Sequence, residues 1–269
     1  MKRLIILLLA VLLLAGQASA AAMNEYALSP FAADTQAMLA LAFGDQAGDA
    51  QTDDREYPFY SLPGTDGAPF CGQDDTAGFG QTRLFIYTAL TVTEDHEPYI
   101  WDNIEPSGAA KCALTAGEAQ AQAEAILRAL GITEYTLQGV TAYGRIDGLT
   151  SGYMAAFGET VDGVPVYWAA ALHYDEMTWV PESNRIEINL GDNGLALLQG
   201  GWAAFTPTRK GISIIAEDEA VAALQALGED AGTAELCYLL TGTQEAPVAL
   251  PAYRFQNRFV SAEDGAVLQ

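Results

Sequence analysis

Between residues 115 and 190 the apolar positions change period once, from helical spacing to alternation. Ala119, Ala123, Ile126, Leu127 and Leu130 fall on one helical face, and Gln120, Gln122, Glu124 and Arg128 fall largely off it. Thr115-Ala-Gly-Glu118 has the spacing of a capping box, in which the Thr hydroxyl and the Glu carboxylate each take up a free backbone N–H. Gly131 follows the last apolar position, where a left-handed residue stops a helix. A helix with one apolar side needs a sheet to bury it against. Residues 135–143 and 153–161 are the first strand candidates. Asp162-Gly163 predicts a two-residue hairpin, because a type I′ turn needs positive φ at both central positions. Residues 164–174 form the returning strand, with Pro165 at its start, where a missing N–H is tolerated. Ile186, Ile188 and Leu190 then alternate with Arg185, Glu187 and Asn189, giving one dry face and one wet face. Gly191-Asp-Asn-Gly194 turns the chain into a strand over 195–205.

A shorter version of the same pattern returns further on. Residues 216–227 predict a helix with Glu217, Asp218 and Glu219 in its first turn, where the helix dipole favours anions. Val221, Leu224 and Leu227 supply its apolar face, and Gly228 ends it. Strands over 234–241 and 251–260 follow, and Ala262-Glu-Asp-Gly265 turns into 266–268. The repeated order of helix, strands and hairpin points to a duplicated unit. The region before residue 113 is less regular. It offers a short helix within 30–43, an acidic glycine-containing loop over 44–54 and a strand over 82–93. Tyr57-Pro-Phe-Tyr60 and Pro69-Phe70-Cys71 are aromatic anchoring points, and 95–108 reads as a loop with Pro98 and Pro106. The expected organisation is a signal peptide over 1–20, an N-terminal extension over 21–112, and helix-plus-sheet units over 113–210 and 211–269.

Met1-Lys2-Arg3, the apolar run 4–15 and Ala18-Ser19-Ala20 make a secretory signal peptide. The run falls short of the roughly 20 residues a membrane span needs, so no stable span is expected after cleavage. The net charge is −23. Such a surface repels nucleic acid and anionic lipid and favours cationic partners. Half the residues are hydrophobic, so the chain can bury a core. Export permits disulfides. Cys71 and Cys112, both in irregular glycine-rich surroundings, are a candidate pair, and closing that loop contributes about 4 kcal/mol in the chain-entropy picture. Cys237, inside the apolar strand Leu236-Cys-Tyr-Leu-Leu240, reads as a buried free thiol.

Two stretches resemble known proteins. Pro251-Ala-Tyr253-Arg-Phe255, followed by Ser261-Ala-Glu-Asp264-Gly265-Ala-Val267, resembles the terminal strand pair of PepSY-like domains. Arg185-Ile-Glu-Ile-Asn-Leu-Gly-Asp192-Asn-Gly194, with Trp202 beyond it, resembles the middle of YycI-like proteins, whose fold carries two such units in tandem. Exported bacterial proteins with an N-terminal Cys-containing extension share this layout. The resemblance covers about 115–269. It implies an α+β, cystatin-like arrangement of helices against antiparallel sheet. It also implies non-catalytic roles: sensing, inhibition of envelope enzymes, or holding an extracytoplasmic protein partner. YycI-type regulators keep a membrane anchor, which this chain's cleavable leader does not supply, so regulation through a transmembrane helix is not implied.

The residues themselves supply no catalytic set. The two histidines, His96 and His173, share no ligand spacing, and His173-Tyr-Asp175-Glu176 reads as a solvated strand end. No Gly-x-Ser-x-Gly elbow, cysteine signature, P-loop or dinucleotide fingerprint is present, so neither metal nor cofactor is expected. Among 35 acidic residues some pair will suit glycoside cleavage by chance, and Glu182 and Glu187 are candidates in that sense alone. Asp192-Asn-Gly194 lacks the later ligands of a calcium loop, and Asp53-Asp54 and Asp74-Asp75 read as solvated loop charge. Aromatics are the remaining lead. Tyr167, Trp168, Tyr174, Trp179 and Trp202 cluster in the central sheet, and alternation sends Tyr167 and Trp168 to opposite faces. Trp168, Tyr174 and Trp179 are the candidate contact residues, against core packing as the commoner fate of large aromatics. The first reading is a secreted non-enzymatic interaction or regulatory domain. The rivals are a polysaccharide-binding module using those aromatics and a carboxylate-based hydrolase. Oligomeric state is not encoded in any of these features.

Overall fold

The computed structural model describes residues 22–53, 56–65, 69–76, 78–88, 91–92, 98–99, 104–106, 112–145, 151–168, 185–243, 245–256 and 258–268. The signal segment, both histidines, Tyr174, Trp179 and Glu182 lie outside them. The chain is α+β and dominated by sheet. Its described helices are α1 (Thr35–Phe43), α2 (Ala116–Ala129) and α3 (Glu217–Gln225). Before α2 come β1 (Ala22–Pro30), β2 (Gln51–Thr52), β3 (Phe59–Ser61), β4 (Phe70–Asp74), β5 (Gln81–Tyr87), β6 (Thr91–Val92), β7 (Pro98–Tyr99) and β8 (Ile104–Pro106). After it come β9 (Tyr135–Arg145), β10 (Ser151–Val161), β11 (Val164–Trp168), β12 (Arg185–Gly191) and β13 (Gly194–Ser213). The last strands are β14 (Glu235–Gly242), β15 (Pro247–Phe255) and β16 (Arg258–Ser261).

Local chemistry sets these elements where the sequence pattern puts them. The Thr115 hydroxyl accepts the Glu118 N–H at 3.3 Å, and the Glu118 carboxylate accepts the Thr115 N–H at 2.8 Å, so both arms of the capping box close on α2. Ala119, Ala123, Ile126 and Leu127 are buried, and Gly131 follows in the left-handed conformation at φ 85°. Asp162 and Gly163 take φ values of 53° and 75°, and Thr160 and Val161 pair with Pro165 and Val164 across the turn. On α1, the Asp34 side chain caps Ala37 N–H at 3.0 Å, and Met38, Ala42 and Phe43 are buried. Residues 44–49, expected as loop, form a 3-10 helical turn.

The long-range arrangement departs from the expectation. Among the described residues, fourteen strands join in one mixed sheet, ordered β2-β3-β4-β5-β13-β1-β15-β14-β11-β10-β9-β8, with β12 between β10 and β13 and β16 on β15. Separate tandem sheets are therefore not delimited. The 20-residue β13 pairs in turn with β12, β5 and β1, and β10 pairs with β9, β12 and β11. These pairings close a seven-strand circuit, β10-β12-β13-β1-β15-β14-β11. Nor is the N-terminal segment an irregular extension. β1 lies inside the sheet between β13 and β15, and β2 to β5 extend it beyond β13. The reason is that Met23, Tyr26 and Leu28 are buried, but a bulge near Glu25 breaks their alternation, so the strand signal is faint. The sheet is also not wholly antiparallel, because β11 pairs parallel to β14 through Val166–Tyr238 and Tyr167–Leu239. That parallel pairing links strands far apart in sequence and leaves no local trace.

The largest core lies beneath α1 and α2, where Met38, Leu127, Phe157, Ile186, Ile188, Leu198 and Trp202 pack together. A second cluster, Tyr26, Val161, Val166, Trp168, Tyr238 and Leu240, comes from strands of the circuit. The third joins Ala220 and Leu224 of α3 to Tyr253, Phe255 and Val260. Just beyond the Arg185 end of β12, the buried Glu159 carboxylate of β10 accepts the Ala203 N–H of β13 at 2.9 Å. Leu227, expected on the apolar face of α3, is 61% exposed because the helix stops at Gln225.

Candidate interaction surface on β11, β14 and β15

Strand alternation on β11 divides two adjacent aromatics, as its period of two requires. Trp168 turns inward. It is 7% exposed and meets Phe79 edge-on, with ring centroids 5.1 Å apart. Its indole therefore packs the circuit's cluster and is not displayed to a ligand. Tyr167 turns to the other face and stays half-buried. Its hydroxyl donates to Glu235 Oε2 at 3.0 Å, and the Arg254 guanidinium carbon sits 4.1 Å from its ring centroid. Arg254 and Glu235 are cross-strand partners on β15 and β14, with Arg254 Nη1 3.6 Å from Glu235 Oε2. Arg254 Nε donates to the Gln256 carbonyl at 3.0 Å, so the guanidinium is held from two sides. Beneath the three side chains lie the buried Cys237, Leu239, Ala252 and Phe259.

Burial raises the Tyr167 hydroxyl pKa, and Glu235 raises it further, against an opposing pull from Arg254. Tyr167 therefore stays protonated at neutral pH and acts as a donor. The patch offers an aromatic ring, a planar cation and a carboxylate in fixed geometry. It offers no nucleophile beside a base, since Cys237 is pushed up to about 12 by burial and is no thiolate at neutral pH. The sequence candidates did not include Tyr167, Arg254 or Glu235. The alternation of β11 carried the signal for Tyr167, but nothing local brought Glu235 and Arg254 to it.

Several other described carboxylates have structural partners. Asp162 accepts the Tyr26 hydroxyl and the Asn24 amide, the latter at 3.3 Å, and Asn24 Oδ1 accepts the Gly211 N–H at 3.2 Å. This network fastens the β10–β11 hairpin to β1 and β13. Tyr238 beside it is pushed up to about 12, chiefly by burial. Glu187 pairs with Arg185 at 2.7 Å, Asp192 accepts the Ala113 N–H at 2.6 Å, and Asp74 accepts both polar hydrogens of Thr76. Among the described residues no group of three or more histidines, cysteines or carboxylates could hold a metal ion. The cysteines are free. Cys71 is sealed in the core under α1 and α2, while Cys112, half-buried, points its Sγ at the Leu114 carbonyl, so the candidate Cys71–Cys112 bridge is not formed. No described helix is long and apolar enough to cross a membrane.

No family model and no curated protein matches the sequence. Solved structures do. An uncharacterized protein from Eubacterium rectale ATCC 33656 aligns over 93% of this chain and 86% of its own, at 10% identity and a TM-score of 0.55. The YpeB C-terminal domain of Bacillus megaterium aligns over 88% and 95% at 14% identity, and YycH from Bacillus subtilis over 90% and 53% at 10% identity, both with a TM-score of 0.38. The likeness to the Eubacterium rectale protein, at 10% identity, is one of fold alone.

Proposed function

We propose that this protein is an exported, non-enzymatic interaction domain that binds an extracytoplasmic protein through the face carrying Tyr167, Arg254 and Glu235. In this reading residues 1–20 are removed on export, and the helix-on-sheet regions around α2 and α3 act as two units sharing one sheet. The observation that carries it is the half-exposed Tyr167 ring stacked by a doubly held guanidinium. Tyrosine and arginine dominate the binding energy of protein interfaces, and a cation held in advance loses little freedom on docking. The net charge of −23 favours a partner with a basic surface.

The test is crosslinking of the purified protein on intact producing cells and their medium, followed by the same experiment with Tyr167→Ala and Arg254→Ala. One dominant crosslinked protein that weakens with both substitutions, and with rising salt, is the expected result. A crosslink indifferent to both moves the contact elsewhere. A specific glycan-array signal lost in Tyr167→Ala, with no protein crosslink, would replace this reading with polysaccharide binding.

A further inference from the structure

We infer that Arg254 is a carboxylate-binding site, across whose two Nη atoms a partner protein seats one aspartate or glutamate side chain. The proposal deepens the interaction reading above and rests on it. Arg185, Arg209 and Arg258 are closed by this chain's own carboxylates, Glu187 at 2.7 Å, Glu263 at 2.5 Å and Glu229 at 2.6 Å. Arg254 is not closed. Its Nη1 lies 3.6 Å from Glu235 Oε2, beyond hydrogen-bond length, and among the described residues Nη2 has no partner. In a chain with 35 acidic residues and 12 basic ones, a carboxylate is easily found, so the open fork needs a cause.

Tyr167 supplies that cause. Its hydroxyl donates to Glu235 Oε2 at 3.0 Å and so holds the oxygen away from the guanidinium. The Tyr167 ring backs the guanidinium at 4.1 Å, and the Gln256 carbonyl takes Nε at 3.0 Å. What remains is the edge carrying Nη1 and Nη2, whose parallel N–H groups fit the two oxygens of a carboxylate. The Arg254 side chain is 34% exposed, open enough to be reached and covered enough to stay in place. Arg128 also lies 3.6 Å from a carboxylate, that of Glu124, but it is 55% exposed and its hydrogen bond to Tyr135 Oη is long, at 3.4 Å.

Local and overall charge differ here. Cross-strand pairing sets Arg254 and Glu235 together on this face, while Arg258 lies with Phe255 on the α3 side, against Glu229. The net charge of −23 draws a basic partner from a distance. At contact, Arg254 selects one acidic residue within that basic surface, because short-range pairing sets register where long-range attraction does not.

The probes are two peptides with capped ends, Lys-Lys-Gly-Glu-Gly-Lys-Lys and the same peptide with glutamine in place of glutamate, whose Kd values are compared at low ionic strength. Long-range attraction favours the glutamine peptide, which has the higher net positive charge. A carboxylate site at Arg254 reverses that order, and the glutamate peptide binds about threefold tighter. Arg254→Lys, which keeps the charge and loses the fork, cancels the reversal. Tyr167→Phe, which releases Glu235 to close on Arg254, weakens it, and Glu235→Gln, which removes the competing charge, strengthens it. Tighter binding of the glutamine peptide to the unsubstituted protein, or a reversal unchanged in Arg254→Lys, overturns the proposal. A reversal indifferent to both Tyr167→Phe and Glu235→Gln also overturns it. If the glutamate preference is missing while the crosslink on cells stays sensitive to Tyr167→Ala, the carboxylate site falls and the interaction reading stands. If the preference is present while that crosslink is insensitive to Tyr167→Ala, the interaction reading falls instead.

Discussion

α2 and α3 are written in the same grammar, yet they bury different amounts of apolar surface. α2 has 14 residues, a complete capping box, and Ala119, Ala123, Ile126 and Leu127 sealed against the sheet. α3 has nine residues and buries Ala220 and Leu224. Its N-cap is Ala216, which has no hydroxyl to offer, so only the return arm exists: the Glu219 carboxylate accepts the Ala216 N–H at 3.2 Å. Both helices lead into a glycine with positive φ, Gly131 at 85° and Gly228 at 79°. Punctuation is thus shared, while length and burial are not. α2 lies over the broad sheet of β9, β10 and β12, where another turn finds more surface to cover. α3 packs on β15 and β16 near the chain's end, and Leu227 has nothing to cover.

The sharpest test of this difference is truncation at the buried centre of each helix. Leu127→Ala should cost about 3 to 4 kcal/mol, because a fully buried leucine leaves a cavity among many neighbours. Leu224→Ala, at the edge of a smaller cluster, should cost about 2 kcal/mol. Urea midpoints at constant slope measure both. Equal losses would break the comparison.

Alkaline titration reads burial in two places. Burial pushes Cys71, in the core under α1 and α2, and Cys237, beneath Tyr167, from 9.0 up to about 12. A group whose pKa is raised on folding supports the fold fully below its unfolded value and loses that support as pH climbs toward its folded value. Stability should therefore hold to about pH 9 and fall between pH 9 and 12, and either Cys71→Ala or Cys237→Ala should make the fall shallower. In the native protein at pH 8, Cys112 should react first with a thiol reagent, and denaturation without reductant should expose three thiols. Finding one would mean that Cys71 and Cys112 are bridged.

What the sequence reveals is what is decided within a few residues. Thr115 and Glu118 meet across one helical turn, and Asp162-Gly163 closes its hairpin whatever lies elsewhere. The buried face of α2 follows from its own spacing. The position of β1 between β13 and β15 does not, because both partners lie far along the chain and a bulge blurs the strand's own alternation. The same holds for the parallel pairing of β11 with β14, which brings Glu235 and, through β15, Arg254 to Tyr167. Alternation shows that Tyr167 and Trp168 part company, but which one enters the core depends on Phe79 and on Tyr238 and Leu240 of β14 arriving from two other segments. Glu159 misleads for a related reason. A charge in a strand reads as a wet face, yet this carboxylate is buried where it accepts the Ala203 N–H of β13, from beyond β12.

Smaller effects concern the caps. Thr115→Ala removes one arm of the α2 box and should cost about 1 kcal/mol. The complementary experiment adds the missing arm to α3. Ala216 has φ −72° and ψ 154°, the extended geometry an N-cap serine adopts, and its side chain is exposed, so a hydroxyl enters without displacing anything. Serine suits the site better than aspartate, because Glu217, Asp218 and Glu219 already crowd the first turn with charge. Ala216→Ser should therefore stabilise the protein by about 0.5 to 1 kcal/mol, seen as a higher urea midpoint with unchanged slope. The gain should vanish on further substitution of Leu224→Ala if α3 is marginal enough to fray once its buried anchor is gone. A gain that survives would show that α3 keeps its first turn by its own hydrogen bonds even without its buried anchor.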